Sequence, residues 1–234
     1  MFSKYTVGLY TQGESSVEAS SIGNYENIAL YVHGAGDIAD TWLGKKDRYQ
    51  FFQDIFNEGY AVLSPLLGGS QTWGNELQQN GITAAYNYIK LKTGREKITL
   101  IGQSMGGLGA IIWAKNNPEK VDRLAAVIPV INLEDLHGRT DYYPGLIDAA
   151  YGGHYDDSLI GNERNPLRIA ANGDLNGVNM CIWYGLGDEL CKPMYAVEFA
   201  NSSGCKLIPV IGGHEEITVS RVAGERFREF IRWR

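Results

Sequence analysis

The sequence predicts an α/β fold built on a doubly wound, mostly parallel sheet with helices on both faces. Three observations predict it. Short apolar or β-branched runs alternate with helical patterns along nearly the whole of the 234 residues. Most of these runs are apolar on both faces, as buried parallel strands are. A chain of this length with 44% apolar residues can bury one core, so a single domain over residues 1–234 is expected.

The elements follow in order. Tyr5 to Tyr10 and Ile28 to Val32 read as strands. Arg48 to Glu58 sets Phe51, Phe52, Ile55 and Phe56 on one helical stripe and stops at Gly59. The strand-like run Tyr60 to Leu63 comes next; Asn75 with Gln78 then forms a capping pair that opens a helix through Lys92, with Gly94 beyond its end. Ile98 to Ile101 is a strand, Met105 to Asn116 a helix closed by Asn117 and Pro118, and Leu124 to Val130 a further strand. The rhythm breaks from Leu133 to Asn179, which is rich in Tyr and Gly. A long stretch without clear elements inside a compact domain points to a functional excursion. Pro166 to Ala171 then returns the chain as a short helix. Met180 to Tyr184 and Lys206 to Ile211 are the last strands, and a helix from Glu216 to Trp233 turns Val222, Phe227, Phe230 and Ile231 inward. Right-handed crossovers between such strands place ligands at their carboxyl ends.

A net charge of −6 and a pI near 5.3, without a basic stripe, argue against a nucleic-acid partner. No apolar run has the roughly 18 residues a membrane span needs, and the start from Met1 to Tyr5 lacks the pattern of a secretory signal. A soluble protein, cytoplasmic by default, is expected. Cys181, Cys191 and Cys205 show neither C-x-x-C nor histidine spacing, so free thiols are expected rather than a disulfide framework or a zinc site; a bridge between Cys191 and Cys205 stays open.

Four features carry chemistry. Gly102, Gln103, Ser104, Met105 and Gly106 form a G-x-S-x-G motif between a strand and a helix, the context of a nucleophile elbow. His33, Gly34, Ala35 and Gly36 end an earlier strand; Asp188 and His214 each follow a late one. Of the four histidines, His33 is committed to its turn, and His137 and His154 fall in the irregular stretch. His214 stands on a glycine-loosened turn before the last helix. In order and context these residues resemble the α/β-hydrolase family from about Tyr5 to the C-terminus. The resemblance implies that Ser104 is the nucleophile and His214 its base. Asp188 would orient the imidazole, with the adjacent Glu189 as the competing acid. It further implies an oxyanion hole from the backbone N–H groups of Met105 and Ala35, Gly36 being the neighbouring alternative, and neither cofactor nor metal.

The resemblance also implies a small cap or lid over 133–165; Trp73 is a candidate wall of the substrate pocket or a core residue, and Tyr143, Tyr151 and Tyr155 are candidate pocket residues from the cap. The expected activity is hydrolysis of a carboxylic ester, from a small-molecule, lipid or polymer substrate, through an acyl-enzyme. A thioesterase, lipase, amidase or acyltransferase would use the same residues, and an idle binding protein could keep the same fold. For a histidine base, the rate is expected to rise through an apparent pKa of about 6 to 7.

Overall fold

The computed structural model describes residues 4–11, 14–20 and 27–232. Among these, the strands are β1 (Lys4–Thr11), β2 (Glu14–Ser20), β3 (Asn27–Val32), β4 (Tyr60–Pro65), β5 (Ile98–Gln103), β6 (Val121–Val127), β7 (Met180–Gly185) and β8 (Lys206–Val210). They form one sheet in the order β1-β2-β4-β3-β5-β6-β7-β8. β1 and β2 are antiparallel additions at one edge, and the remaining six strands run parallel.

The helices are α1 (Tyr49–Asn57), α2 (Glu76–Thr93), α3 (Met105–Asn116), α4 (Leu133–His137), α5 (Tyr143–Tyr151), α6 (Asp157–Arg164), α7 (Pro166–Ala171), α8 (Pro193–Ser203), α9 (Glu216–Val222) and α10 (Glu225–Ile231). They cover both faces because successive strand residues point to opposite sides. Ala29, Tyr31, Val62 and Ile101 pack with Phe51, Phe52, Ile55 and Phe56 of α1 and with Phe227, Phe230 and Ile231 of α10. Ile28, Leu30, Leu63 and Leu100 pack on the other face with Ile82 of α2, Leu108 and Ile112 of α3, and Phe199 of α8. The Asn75 side chain accepts the Gln78 N–H at 3.1 Å, and Gly94 ends α2 at φ 71°.

Several expectations are corrected. β2 reads as polar sequence, and only its pairing with β1 and β4 makes it a strand. α8 begins with Pro193 and ends at a left-handed Gly204, a legible signal that the sequence reading passed over. The strand expected over Leu124 to Val130 starts at Val121 and stops at Val127. The last helix is broken at Gly224 (φ 138°) into α9 and α10, although Val222, Phe227, Phe230 and Ile231 are all buried as the stripe required. The irregular stretch holds α4, α5 and α6, each too short or too mixed to show a period. Trp233, and Met1 to Ser3 of the expected signal-free start, lie outside the described residues. Cys181, Cys191 and Cys205 are free thiols, which closes the question of a Cys191–Cys205 bridge. Among the described residues no helix is long and apolar enough to cross a membrane.

Candidate active site

Strand register brings the candidate residues to one edge. Val32 pairs with Gly102, Gln103 with Val127, and Gly185 with Val210, so β3, β5, β7 and β8 end side by side and their following loops meet. Ser104 follows β5 at φ 51°, a positive value that an L-residue adopts only under constraint. That constraint is backbone: the Ser104 N–H donates to the Val127 carbonyl at 3.0 Å, and the Ser104 carbonyl accepts from Gly107, Leu108 and Val130. A Cβ on Gly106 would lie 2.0 Å from the Val32 carbonyl oxygen, and one on Gly102 would lie 2.7 Å from that of Gly106. The two motif glycines therefore let α3 start directly against β3.

Ser104 Oγ lies 2.8 Å from His214 Nε2, and His214 Nδ1 lies 2.8 Å from Asp188 Oδ2. The other Asp188 oxygen accepts the N–H groups of Leu190 at 2.9 Å and Cys191 at 2.7 Å, which fixes the carboxylate plane. Asp188 is buried and Glu189 is exposed, so of the two acids it is Asp188 that meets the imidazole. The acid and histidine loops touch backbone to backbone, since the Gly187 N–H donates to the Gly212 carbonyl at 2.9 Å. A hydroxyl on an imidazole that is itself held by a buried carboxylate can shed its proton as it attacks an electrophile.

The Gly36 N–H donates to the Ser70 carbonyl at 2.8 Å. Among the described residues, no hydrogen bond occupies the Ala35 or Met105 amide, and Met105 opens α3, where free N–H groups and the helix dipole attract an anion. Of the two amides weighed in the H-G-A-G loop, Ala35 is the free one. His33 is fully buried, with Nε2 2.9 Å from the Leu66 carbonyl and Nδ1 3.0 Å from that of Gly34. It ties two loops together.

Trp73 is 1% exposed at φ 45° and meets the Tyr143 ring edge-on at 5.7 Å. Tyr151 donates its hydroxyl to the Trp73 carbonyl at 2.9 Å, and Asn75 donates to the Ala150 carbonyl at 2.8 Å, so α5 lies on the loop after β4. α4 and the turn after it meet the acid loop and α8: Arg139 donates to the carbonyls of Glu189 and Leu190, while Lys192 and Tyr195 both donate to Asp135. Tyr155 is corrected: it is 2% exposed, its hydroxyl donates to Asp157 at 2.6 Å, and it packs within the core rather than lining a pocket. His137 and His154 stand together beside Asp148, away from Ser104 in the hydrogen-bond network.

Two features escaped the sequence reading. The first is Cys191, whose side chain contacts His214; burial pushes its thiol up, so it is neutral at pH 7. No spacing in the sequence marks it. The second is Arg48, 2% exposed, which donates to Asp37 at 2.7 Å, to the Tyr31 hydroxyl at 3.0 Å and to both oxygens of Glu216. Tyr31 in turn donates to Gln103 at 2.7 Å. Asp37 follows the H-G-A-G loop, Gln103 precedes Ser104 and Glu216 follows His214, so one guanidinium joins three loops of the site. Arg48→Leu leaves the buried Asp37 carboxylate without its partner and Glu216 with Lys45 alone, and an unfolding free energy lower by about 3–5 kcal/mol is expected from urea titration. A loss below about 1 kcal/mol would mean that the network adds little.

A family model described as alpha/beta hydrolase fold matches residues 30–170. The chain is 29% identical over 119 residues to a 2-hydroxy-6-oxononadienedioate/2-hydroxy-6-oxononatrienedioate hydrolase of a Pseudomonas species, an alignment covering 49% of this chain and 41% of that protein. It thus spans less than half the length of the curated relatives it matches. Among solved structures, a fluorophosphonate-binding serine hydrolase F of Staphylococcus aureus superposes with a TM-score of 0.75 at 14% identity, covering 97% of this chain and 96% of that one. A ferulic acid esterase superposes with a TM-score of 0.73 at 15% identity, covering 99% of each chain. At such identities the structural likeness speaks for the fold.

Proposed function

The chain belongs to the alpha/beta hydrolase fold family, and on that premise we propose that it is a serine hydrolase that cleaves a carboxylic ester through an acyl-enzyme. The observation that carries this reading is the continuous hydrogen-bonded chain from Ser104 through His214 to Asp188 at the sheet's carboxyl edge. His214 takes the Ser104 proton as Oγ attacks the ester carbonyl, and the Met105 and Ala35 amides receive the oxyanion. The imidazolium then protonates the leaving alcohol, and water, activated by the same histidine, releases the acid. The residues 133–165 act as a cap inserted in one domain, with Tyr143 and Tyr151 bounding the substrate and Trp73 packed in the core behind them. A fluorophosphonate should label the protein on the peptide containing Ser104; an adduct elsewhere, or none, would defeat the reading.

Activity requires neutral His214, so kcat/KM rises with pH. Burial disfavours the imidazolium, but contact with Cys191 and the Asp188 carboxylate outweighs it and holds the pKa above the ordinary 6.5. Since Cys191 stays a neutral thiol, the charge that does the lifting is that of Asp188. The rising limb is therefore expected above the window of about 6 to 7 that an ordinary histidine would give, and a limb at or below it would contradict this account.

If the cap selects substrate without joining the chemistry, Tyr143→Ala raises KM for a bulky aromatic ester about two- to tenfold, the worth of one aromatic contact. Labelling of Ser104 by a small fluorophosphonate then keeps its rate. Loss of labelling in the folded variant would place Tyr143 within the catalytic machinery.

A further inference from the structure

The cap carries a second cluster of chemistry. His137 ends α4, Asp148 lies on α5, and His154 follows Gly152 and Gly153 in the loop before α6. His137 Nε2 is 2.8 Å from Asp148 Oδ1, His154 Nδ1 is 3.7 Å from the same oxygen, and all three ligand atoms lie within 4.8 Å of one another. The two imidazole rings stand edge to face at 5.0 Å. An ion bound at about 2.0–2.2 Å by nitrogen and oxygen wants donors about 3.3 Å apart. This spacing is met by parting His137 from Asp148 slightly and drawing His154 in.

We propose that His137, Asp148 and His154 form a binding site for a divalent transition ion of the zinc class. Two imidazoles and one carboxylate match the ligand preference of such ions, while a calcium or magnesium ion would want more oxygen donors. Three protein ligands leave a fourth position for water. His154 is the mobile ligand: its side chain is 77% exposed, and the left-handed Gly152 (φ 72°) and Gly153 precede it. Asp148 is the fixed one, because the Tyr155 N–H donates to its Oδ1 at 2.8 Å. The bound ion would clasp the end of α4, the last turn of α5 and the loop beyond it, and so stiffen the helix that presents Tyr143 to Trp73.

The inference does not depend on the hydrolase reading, but its test must separate this cluster from Asp188, Cys191 and His214, whose ligand atoms also lie within 4.8 Å of one another. Purified protein stripped with a chelator is titrated with zinc by calorimetry, alongside His154→Ala and Cys191→Ser. One ion per chain is expected in the unaltered protein and in Cys191→Ser, with affinity at least tenfold weaker in His154→Ala. The exposed position of His154 lets that variant fold. Zinc should also raise the melting temperature of the unaltered protein and of Cys191→Ser, but not that of His154→Ala. Absence of binding by the unaltered protein at 100 µM zinc, equal affinity in His154→Ala, or binding lost only in Cys191→Ser would each overturn the proposal.

Discussion

Ser104→Ala is expected to abolish fluorophosphonate labelling and to lower turnover by about 10⁴ to 10⁶, the cost seen when a nucleophile, base and acid act as a unit. The fold should survive. The turn at Ser104 is held by its own amide on Val127 and by three amides on its own carbonyl, and none of these bonds involves the hydroxyl. Alanine meets the same positive φ as serine, so the variant keeps the parent's backbone strain and melts within a few degrees of it. Circular dichroism melting beside an ester assay separates the two effects. An alanine variant that remains active would remove Ser104 from the chemistry.

Asp188→Asn should be nearly as damaging, at about 10⁴ in kcat with KM little changed. The geometry says why an isosteric change costs so much. One Asp188 oxygen accepts two backbone N–H groups, from Leu190 and Cys191, so an asparagine must place its carbonyl oxygen there and turn its NH₂ toward His214. An NH₂ facing Nδ1 requires that nitrogen to accept, which moves the ring proton to Nε2. Nε2 is the atom 2.8 Å from Ser104 Oγ, and once protonated it can no longer take the hydroxyl's proton. Glu189→Gln, on an exposed side chain, should leave kcat within a factor of about two, as surface changes usually do. The reverse pattern would reassign the acid.

Much of this was legible in the sequence because it rests on local grammar. The α3 boundaries follow from the elbow motif and from Asn117 with Pro118, and α2 from Asn75 and Gly94. The gathering of Ser104, Asp188 and His214 was expected from an order and loop context that resemble the α/β-hydrolase family, and all three loops do follow parallel strands. What escaped depends on contacts between distant segments. β2 is a strand only because it lies beside β4, so its Glu- and Ser-rich sequence offers no period to read. Arg48 looks like the first residue of an amphipathic helix, and nothing local announces that Glu216 will reach it. Cys191 becomes a neighbour of His214 only when the loops after β7 and β8 close on each other. That Gly36 rather than Ala35 has its amide taken rests on a single bond to Ser70, which no motif encodes. Tyr155 looked like its neighbours in a tyrosine-rich stretch; its hydroxyl's commitment to Asp157 set it apart.

The guanidinium of Arg48 sets a condition on any attempt to transplant this site. Copying Ser104, Asp188, His214 and the H-G-A-G loop onto another parallel sheet would carry over the groups proposed to react without the strut behind them. A recipient scaffold would also need a buried cation about where the turn before α1 places it, with acids arriving from just after the H-G-A-G loop and from the first turn after the histidine. The smallest portable unit therefore includes Tyr31, Asp37, Arg48, Gln103 and Glu216. In directed evolution of new substrates, these five are the positions to hold constant while the cap is varied.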